Sequence, residues 1–367
     1  MKIECIKDKI EDALNKVGKI AGKNTSLPVL AGLHISAEKN QLVIKATNLD
    51  LGVSATIPVK VVEPGSVVVP ASTFVLLISS LPKEGNISIS VQGQVLEVKT
   101  VNTETSINLL PSDDFPVIPE IDTSDGFPVT SRDFIFGLKS VIYSAAIGSI
   151  KPELSSISIT YSGDHLVFAA TDSFRLAEKK IRVKSAPSFK QILIPQKNAL
   201  EIIRIFDKGE DELLLSIDEH QLALRSGGLY LTSRIVDGVF PDYSQIIPKE
   251  TLSKAVLLKQ DLISSLKTSL IFSDSFNQLT LSLAPSVKKF EVRSKNSTVG
   301  ESSYGVEAVL EGEDMEINVN HKYFTDCFQS LSTDSLSLRL SGPTKPIVVE
   351  GVGDTSFLYI VMPMNRS

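Results

Sequence analysis

Apolar residues recur along this chain with two different periods. Near the N-terminus Ile10, Leu14, Val17 and Ile20 fall three and four positions apart, predicting a helix over about 8–20 that ends near Gly22. Five more segments share that period: Phe74, Leu77, Ile78 and Leu81 ahead of Pro82; Phe134, Leu138, Val141 and Ile142; Leu200, Ile203 and Phe206; Leu262, Leu266 and Leu270; and Phe324, Cys327, Phe328 and Leu331. Between them Ile87 to Val91, Leu213 to Ile217, Leu279 to Leu283 and Leu336 to Leu340 alternate apolar with polar residues, as half-buried strands do. Six amphipathic helices set among more numerous strands describe an α+β fold with antiparallel sheets.

The pattern repeats. Val67-Val68-Val69-Pro70, Ile192-Leu193-Ile194-Pro195 and Ile317-Asn318-Val319-Asn320 each end an apolar run just before a helical segment, and Pro70, Pro195 and Asn320 are spaced by 125 residues. Helix starts at Asp8, Asp133 and Asp261 are separated by 125 and 128, and Phe115-Pro116 returns 125 residues later as Phe240-Pro241. Three coincident series predict three tandem copies of one domain with two helices each, at 1–122, 123–249 and 250–367. Linker composition near Ile121 to Phe127 and near Pro248 to Ser253 agrees with those boundaries. Stacking as an open solenoid is the alternative, although copies of this length each bury a core of their own.

Composition narrows the function classes. The chain is 42% hydrophobic and 22% charged over 367 residues, ordinary for a globular protein. It has no apolar run long enough to span a bilayer, and Met1 to Ile10 lacks a secretion core, so the expectation is a cytoplasmic protein with no membrane partner. Cys5 and Cys327 are too few and too far apart for a disulfide framework or a thiolate metal site. The net charge of −6 argues against gripping nucleic acid by a basic surface alone. The six helical windows nevertheless hold 12 Lys and Arg against 8 Asp and Glu, so a surface lined by them is weakly positive inside an acidic shell.

No catalytic constellation emerges. The chain lacks a phosphate loop, and Gly351-Val352-Gly353 fails as a dinucleotide fingerprint because Ser356 takes the third glycine position. His34, His165, His220 and His321 are scattered, Asp164, His165, Asp172 and Ser173 lack a nucleophile elbow, and Asp113-Asp114 reads as a Pro-flanked turn. Sequons at Asn24, Asn86 and Asn296 mean nothing without secretion. We therefore expect no catalytic residue, metal or cofactor. The C-terminus is unusual: Met362 and Met364, two of four methionines, flank Pro363 close to the end, composing either an adaptable partner surface or a frayed last strand.

Four stretches resemble one family along the whole chain. Leu27-Pro28-Val29-Leu30, Ala170-Thr171-Asp172-Ser173-Phe174-Arg175-Leu176-Ala177, Val236-Asp237-Gly238-Val239-Phe240-Pro241-Asp242-Tyr243 and Tyr359-Ile360-Val361-Met362-Pro363-Met364 are similar, in order and spacing, to the bacterial DNA polymerase III beta subunit, the replicative sliding clamp. The resemblance implies two three-domain chains closed head to tail as a homodimeric ring on double-stranded DNA, without sequence specificity and without chemistry. It also implies a pocket between the second and third domains for short peptides from the replicative polymerase alpha subunit, clamp-loader subunits and other polymerases and repair proteins.

Position by position, the resemblance places that pocket at Leu154, Thr171, Ser173, Phe174, Arg175, Leu176, Pro241, Ile246, Asn320, Tyr323, Thr344, Pro346, Ile360, Met362, Pro363 and Met364. Core packing is the other reading of Leu154, Leu176, Ile246 and Ile360. Ser173 and Phe174 stand where glycine and histidine are common in the family, Gln245 where arginine is, and Pro346 where serine is. Asn24 and Ser79 occupy positions where the family carries arginine in some members, and Pro152-Glu153 replace an aromatic pair. Lys7, Lys16, Lys139, Lys151, Lys197, Arg204, Lys267 and Lys322 are candidates to face DNA, or else solvated or paired helix charges. For closure the resemblance points to Ile271 and Phe272 against Phe74 and Leu77 of a second copy, the last two fitting an internal core equally well. A repeat-built scaffold that never encircles DNA is the competing reading, and an enzyme the third.

Overall fold

The computed structural model describes residues 1–22, 27–82, 85–112, 114–122, 126–148, 150–184, 187, 189–207, 209 and 212–364. Asn24, Asp113 and the middle of the first linker therefore lie outside the described residues. Six α-helices occur among them: α1 (Lys7–Val17), α2 (Ala71–Ser80), α3 (Ser131–Val141), α4 (Gln196–Phe206), α5 (Lys259–Leu270) and α6 (His321–Thr325). The expected ends were too long at α1, α3 and α6. A 3₁₀ turn replaces the helix at Ile142–Ser144, and another at Asp326–Gln329 follows α6.

The three repeat anchors do the same job. Strands Gly65–Pro70, Ile192–Pro195 and Met315–Asn320 run directly into α2, α4 and α6. Asp8, Asp133 and Asp261 sit in the first turns of α1, α3 and α5, where a carboxylate favours the helix dipole. Asp133 is also capped locally, its backbone N donating to Thr130 Oγ1 at 3.1 Å.

By compactness the chain divides into two units. The first comprises Met1–Ile135, Ser185–Pro187 and Lys197–Ile235. It holds a five-stranded antiparallel sheet in the order Lys60–Glu63, Lys2–Ile6, Asn86–Gln92, Val95–Lys99, Glu104–Asn108. Its second sheet has eight strands: Phe127–Thr130, Glu212–Ile217, Gln221–Ser226, Leu229–Arg234, Leu51–Pro58, Gln41–Thr47, Gly32–Glu38 and Gly65–Pro70. That sheet crosses from one repeat into the next at Leu229–Arg234 and Leu51–Pro58, where Leu231 lies opposite Val53. Ile10, Leu14, Val17, Phe74 and Ile78 are buried from the helices, and Leu42, Ile44, Val53 and Leu231 from the strands. Gly18 lets α1 and α2 approach closely, since a Cβ there would lie 2.5 Å from Val75 Cγ2.

The second unit comprises Phe136–Lys184, Ser188–Gln196 and Val236–Ser367. Nine strands run Ile192–Pro195, Ser156–Ser162, His165–Thr171, Arg175–Arg182, Phe357–Val361, Ile347–Gly351, Ser335–Leu340, Ser253–Leu258, Ala308–Gly312. Four more run Gly300–Val306, Lys289–Asn296, Gln278–Ala284, Met315–Asn320. Here the repeats join at Arg175–Arg182 and Phe357–Val361, with Tyr359 opposite Ala177. Two units rather than three emerge because each junction is a continuous hydrogen-bonded sheet, which divides the middle repeat between its neighbours.

Candidate partner-binding site

The site is built on a turn of the second unit, Thr171 to Arg175. Asp172 Oδ1 accepts the backbone N–H groups of Phe174 (2.9 Å) and Arg175 (3.0 Å), while Thr171 Oγ1 accepts Ser173 N (3.2 Å) and donates to Arg175 O (2.7 Å). This is the Asx-turn chemistry that Asp and Thr supply before a returning strand. Ser173 adopts φ 76°, the left-handed region, which explains why glycine suits this position and makes serine strained there.

The turn lifts Phe174 to 59% exposure and lays it against Tyr323, ring centroids 6.2 Å apart and 24° between planes. Tyr323 lies in the first turn of α6, where the N-cap Asn320 Oδ1 accepts its N–H at 3.1 Å and Asn320 Nδ2 donates to Phe276 O. The Arg175 guanidinium lies 4.5 Å from the Tyr323 ring centroid and 6.0 Å from that of Tyr143. Its Nε donates to Asp172 at 3.0 Å and its Nη1 donates to Asp326, so two carboxylates hold this 8%-exposed cation inside the protein. Burial pushes the Tyr143 and Tyr359 phenols well above their ordinary range, keeping both neutral; Tyr143 shares a hydrogen bond with Ser330 and Tyr359 donates to the carbonyl of Tyr323.

The C-terminus is fastened to the same place. Met362 N donates to Phe174 O (2.8 Å) and Met364 N to Asn318 O (2.7 Å). Pro363 and Met364 then line a groove of about 470 Å³ with Thr344, Pro343, Leu252 and Met315. Met362 to Met364 are thus held against the site by backbone hydrogen bonds.

The structure brings together Thr171, Ser173, Phe174, Arg175, Asn320, Tyr323 and Met362, and beside them Thr344, Pro363 and Met364. Leu176 and Ile360 pair across the sheet at 1% exposure, packed with Val348 and Tyr243, and Pro346 is buried too. These three are a correction: they form core beneath the site and offer no free surface. Leu154, 9% exposed, is buried as well. Pro241 and Ile246 are exposed on either side of Tyr243. Sequence reasoning missed Asp172 and Asp326 as the carboxylates that fix Arg175. The signal for Asp172 was present, since Asn48, Asp172 and Asn296 recur every 124 residues. Each accepts the N–H groups two and three positions on.

The basic candidates divide. Lys139, Lys151, Lys197, Lys267 and Lys322 are exposed. Lys7 is a correction, being 2% exposed and paired with Glu11, and Lys16 pairs with Asp12 at 2.8 Å. Arg204 is a second correction: it donates to Glu201 Oε2 (2.7 Å), Asn15 O (3.0 Å) and Lys16 O (3.1 Å), closing the end of α1. Of the closure residues, Ile271 is 67% exposed, but Phe74 is completely buried in its own domain and unavailable to a partner. Leu76, 70% exposed on the same helix, is the large apolar residue of α2 that faces outward.

Asp164 pairs with His165 (2.6 Å) and Arg182 (2.9 Å) at one end of a strand, whereas Asp172 and Ser173 lie beyond its other end. Among the described residues no group of three His, Cys, Asp or Glu side chains could hold a metal ion, and no helix is long and apolar enough to cross a membrane. Cys5 and Cys327 are buried, and burial pushes the Cys5 thiol up to about 12 and raises that of Cys327, so neither ionises readily.

Comparison with known proteins agrees along the whole length. Residues 1–119, 130–242 and 244–365 match the N-terminal, central and C-terminal domain models of the DNA polymerase III beta subunit. Curated relatives include the beta sliding clamps of Vibrio cholerae, 27% identical over 96% of both chains, and Synechococcus elongatus, 25% identical over 99% of both. The crystal structure of the DNA polymerase III subunit beta from Pseudomonas aeruginosa superposes with a TM-score of 0.94 at 25% identity, covering all of each chain. That of Thermotoga maritima gives 0.93 at 24%, again over all of each chain. The class is therefore a non-catalytic clamp that confers processivity on a replicative polymerase. The chain belongs to the DNA polymerase III beta subunit family.

Proposed function

We propose that two copies of this chain close head to tail into a ring around duplex DNA, with repeats meeting at 122/123 and 249/250, and that the Phe174–Met364 surface docks partner peptides. The observation that carries the ring is a strand join made twice within the chain and left open a third time. In both joins the receiving strand follows one of the recurrent Asx turns: Asn48 precedes Leu51–Pro58, and Asp172 precedes Arg175–Arg182. The third turn, at Asn296, precedes Gly300–Val306, which ends its sheet with one edge uncovered among the described residues. The first-repeat counterpart of the covering strands, Glu104–Asn108, likewise ends its sheet. Each uncovered edge is a template for pairing.

Carrying the two observed registers over, by following each ladder strand by strand, sets Thr105 of one copy opposite Ser302 of the next. The accompanying helices expose Leu76 on α2 and Ile271 after α5, apolar anchors of the kind that dominate interface energetics. A closed ring stays on DNA by topology, so Lys139, Lys151, Lys197, Lys267 and Lys322 need supply only transient phosphate contacts despite the acidic balance. On this surface Phe174 and Tyr323, with Pro363 and Met364 in the adjoining groove, suit Leu and Phe anchors of an extended peptide from the polymerase alpha subunit, the clamp loader or repair proteins. The setting is the cytoplasm, with the replicating DNA.

The double variant Thr105→Cys, Ser302→Cys tests the register: it should oxidise to a covalent dimer near twice 39.8 kDa that stays on a nicked circle and leaves when the DNA is linearised. A monomer at every concentration, or retention indifferent to DNA ends, would move the protein to the scaffold reading.

A further inference from the structure

Arg175 is held by groups of this chain at its edge and at its face. Its guanidinium donates to two carboxylates, Asp172 through Nε and Asp326 through Nη1, and lies 4.5 Å from the Tyr323 ring centroid. The side chain is 8% exposed, whereas Asp326 retains 26% and Phe174 59%. By exposure Arg175 lies deepest, Asp326 and Tyr323 are half-buried on either side of it, and Phe174 is outermost. Phe174 and Tyr323 provide the exposed aromatic face; Arg175 is the strut that sets the height of that face, and Asp326 the anchor that sets the strut.

We propose that Asp326 is a positioning residue for partner recognition, acting through Arg175 on the Tyr323–Phe174 face without touching the partner. The inference rests on the peptide-docking reading above. Asp172 alone cannot fulfil this role. It belongs to the turn that carries Phe174, so its bond to Arg175 moves with that turn, whereas Asp326 ties Arg175 to the segment after α6 that carries Tyr323. The two halves of the aromatic face are thus locked together across the strand join by one cation. Aromatic contacts depend on offset and angle, so loosening the lock weakens a docked Leu or Phe without removing any contacting atom.

The probe is a fluorescein-labelled decapeptide with adjacent Leu and Phe anchors, titrated by anisotropy into the full-length chain. Asp326→Asn, which keeps the shape and removes the charge, should weaken binding about tenfold, close to 1.4 kcal/mol by the standard conversion. Asp326→Glu should recover most of that loss. Arg175→Lys should weaken binding comparably, and the Asp326→Asn, Arg175→Lys double variant should bind no worse than either single one, because both remove the same strut. Dimer mass and retention on circular DNA should be unchanged in all of them. Unaltered affinity in Asp326→Asn, losses that add in the double variant, or no rescue by glutamate would overturn the inference. Failure of the unaltered protein to bind the peptide would instead overturn the docking reading itself.

Discussion

Arg204 donates through Nη1 to the main-chain oxygen of Asn15 at 3.0 Å, so a cation near the end of α4 closes the last turn of α1. Helix C-termini leave carbonyls without partners, and a guanidinium there satisfies them while meeting the negative end of the dipole. Arg204→Gln should cost about 1–2 kcal/mol in chemical denaturation, as expected for losing charge-assisted hydrogen bonds. The salt dependence of DNA binding should stay unchanged. A reduced salt slope with unaltered stability would return Arg204 to the DNA surface.

Ser173 is held at φ 76°, where an L side chain costs roughly 1–2 kcal/mol and glycine costs nothing sterically. Part of that gain is offset by the greater freedom of glycine in the unfolded chain. Ser173→Gly should therefore raise stability by about 0.5–1 kcal/mol. Thermal denaturation of the pair checks it, and destabilisation would show that the hydroxyl contributes more than the strain costs.

On the four-stranded sheet, hydrogen bonds from Lys289 (2.7 Å) and Arg293 (2.8 Å) hold the Glu291 carboxyl down at about 2. A carboxylate with a depressed pKa stabilises the fold fully above its unfolded value, near 4.5, and loses that contribution as pH falls towards 2. Glu291→Gln should flatten the fall in stability across that window, measured by denaturant titration from pH 6 to 2. An unchanged profile would remove Glu291 from the acid response.

Phe74 and Leu76 are two positions apart and opposite in fate. Phe74→Ala empties a fully buried site and should cost about 3–5 kcal/mol in folding. Leu76→Ala with Ile271→Ala should leave each protomer folded and raise the dimer dissociation constant at least tenfold, read by light scattering on dilution. A dimer indifferent to both anchors would displace the interface from this face.

Much of this protein is legible in its sequence. The period of the apolar residues located six helices, and the spacing of Pro70, Pro195 and Asn320 revealed a threefold repeat whose anchors all prove to join strand to helix. Such features are local: side-chain direction in a helix or strand follows from backbone geometry, so pattern alone reports them. The turn at Thr171 to Arg175 was legible in the same way, because Asp and Thr bond to backbone only a few residues away.

Tertiary structure decided which apolar and charged residues are surface. Leu176 and Ile360 have the composition of a groove and the burial of a core, because the last strand of the third repeat covers the second. Lys7 and Arg204 read as free cations until Glu11 and the α1 carbonyls are seen to engage them. Arg175 is exposed by its neighbours in sequence and enclosed by Asp326, Tyr323 and Tyr143 in space. The repeat determined the elements. Contacts between residues far apart in the chain, whose pairing no local period encodes, determined which face of each element remained open to a partner.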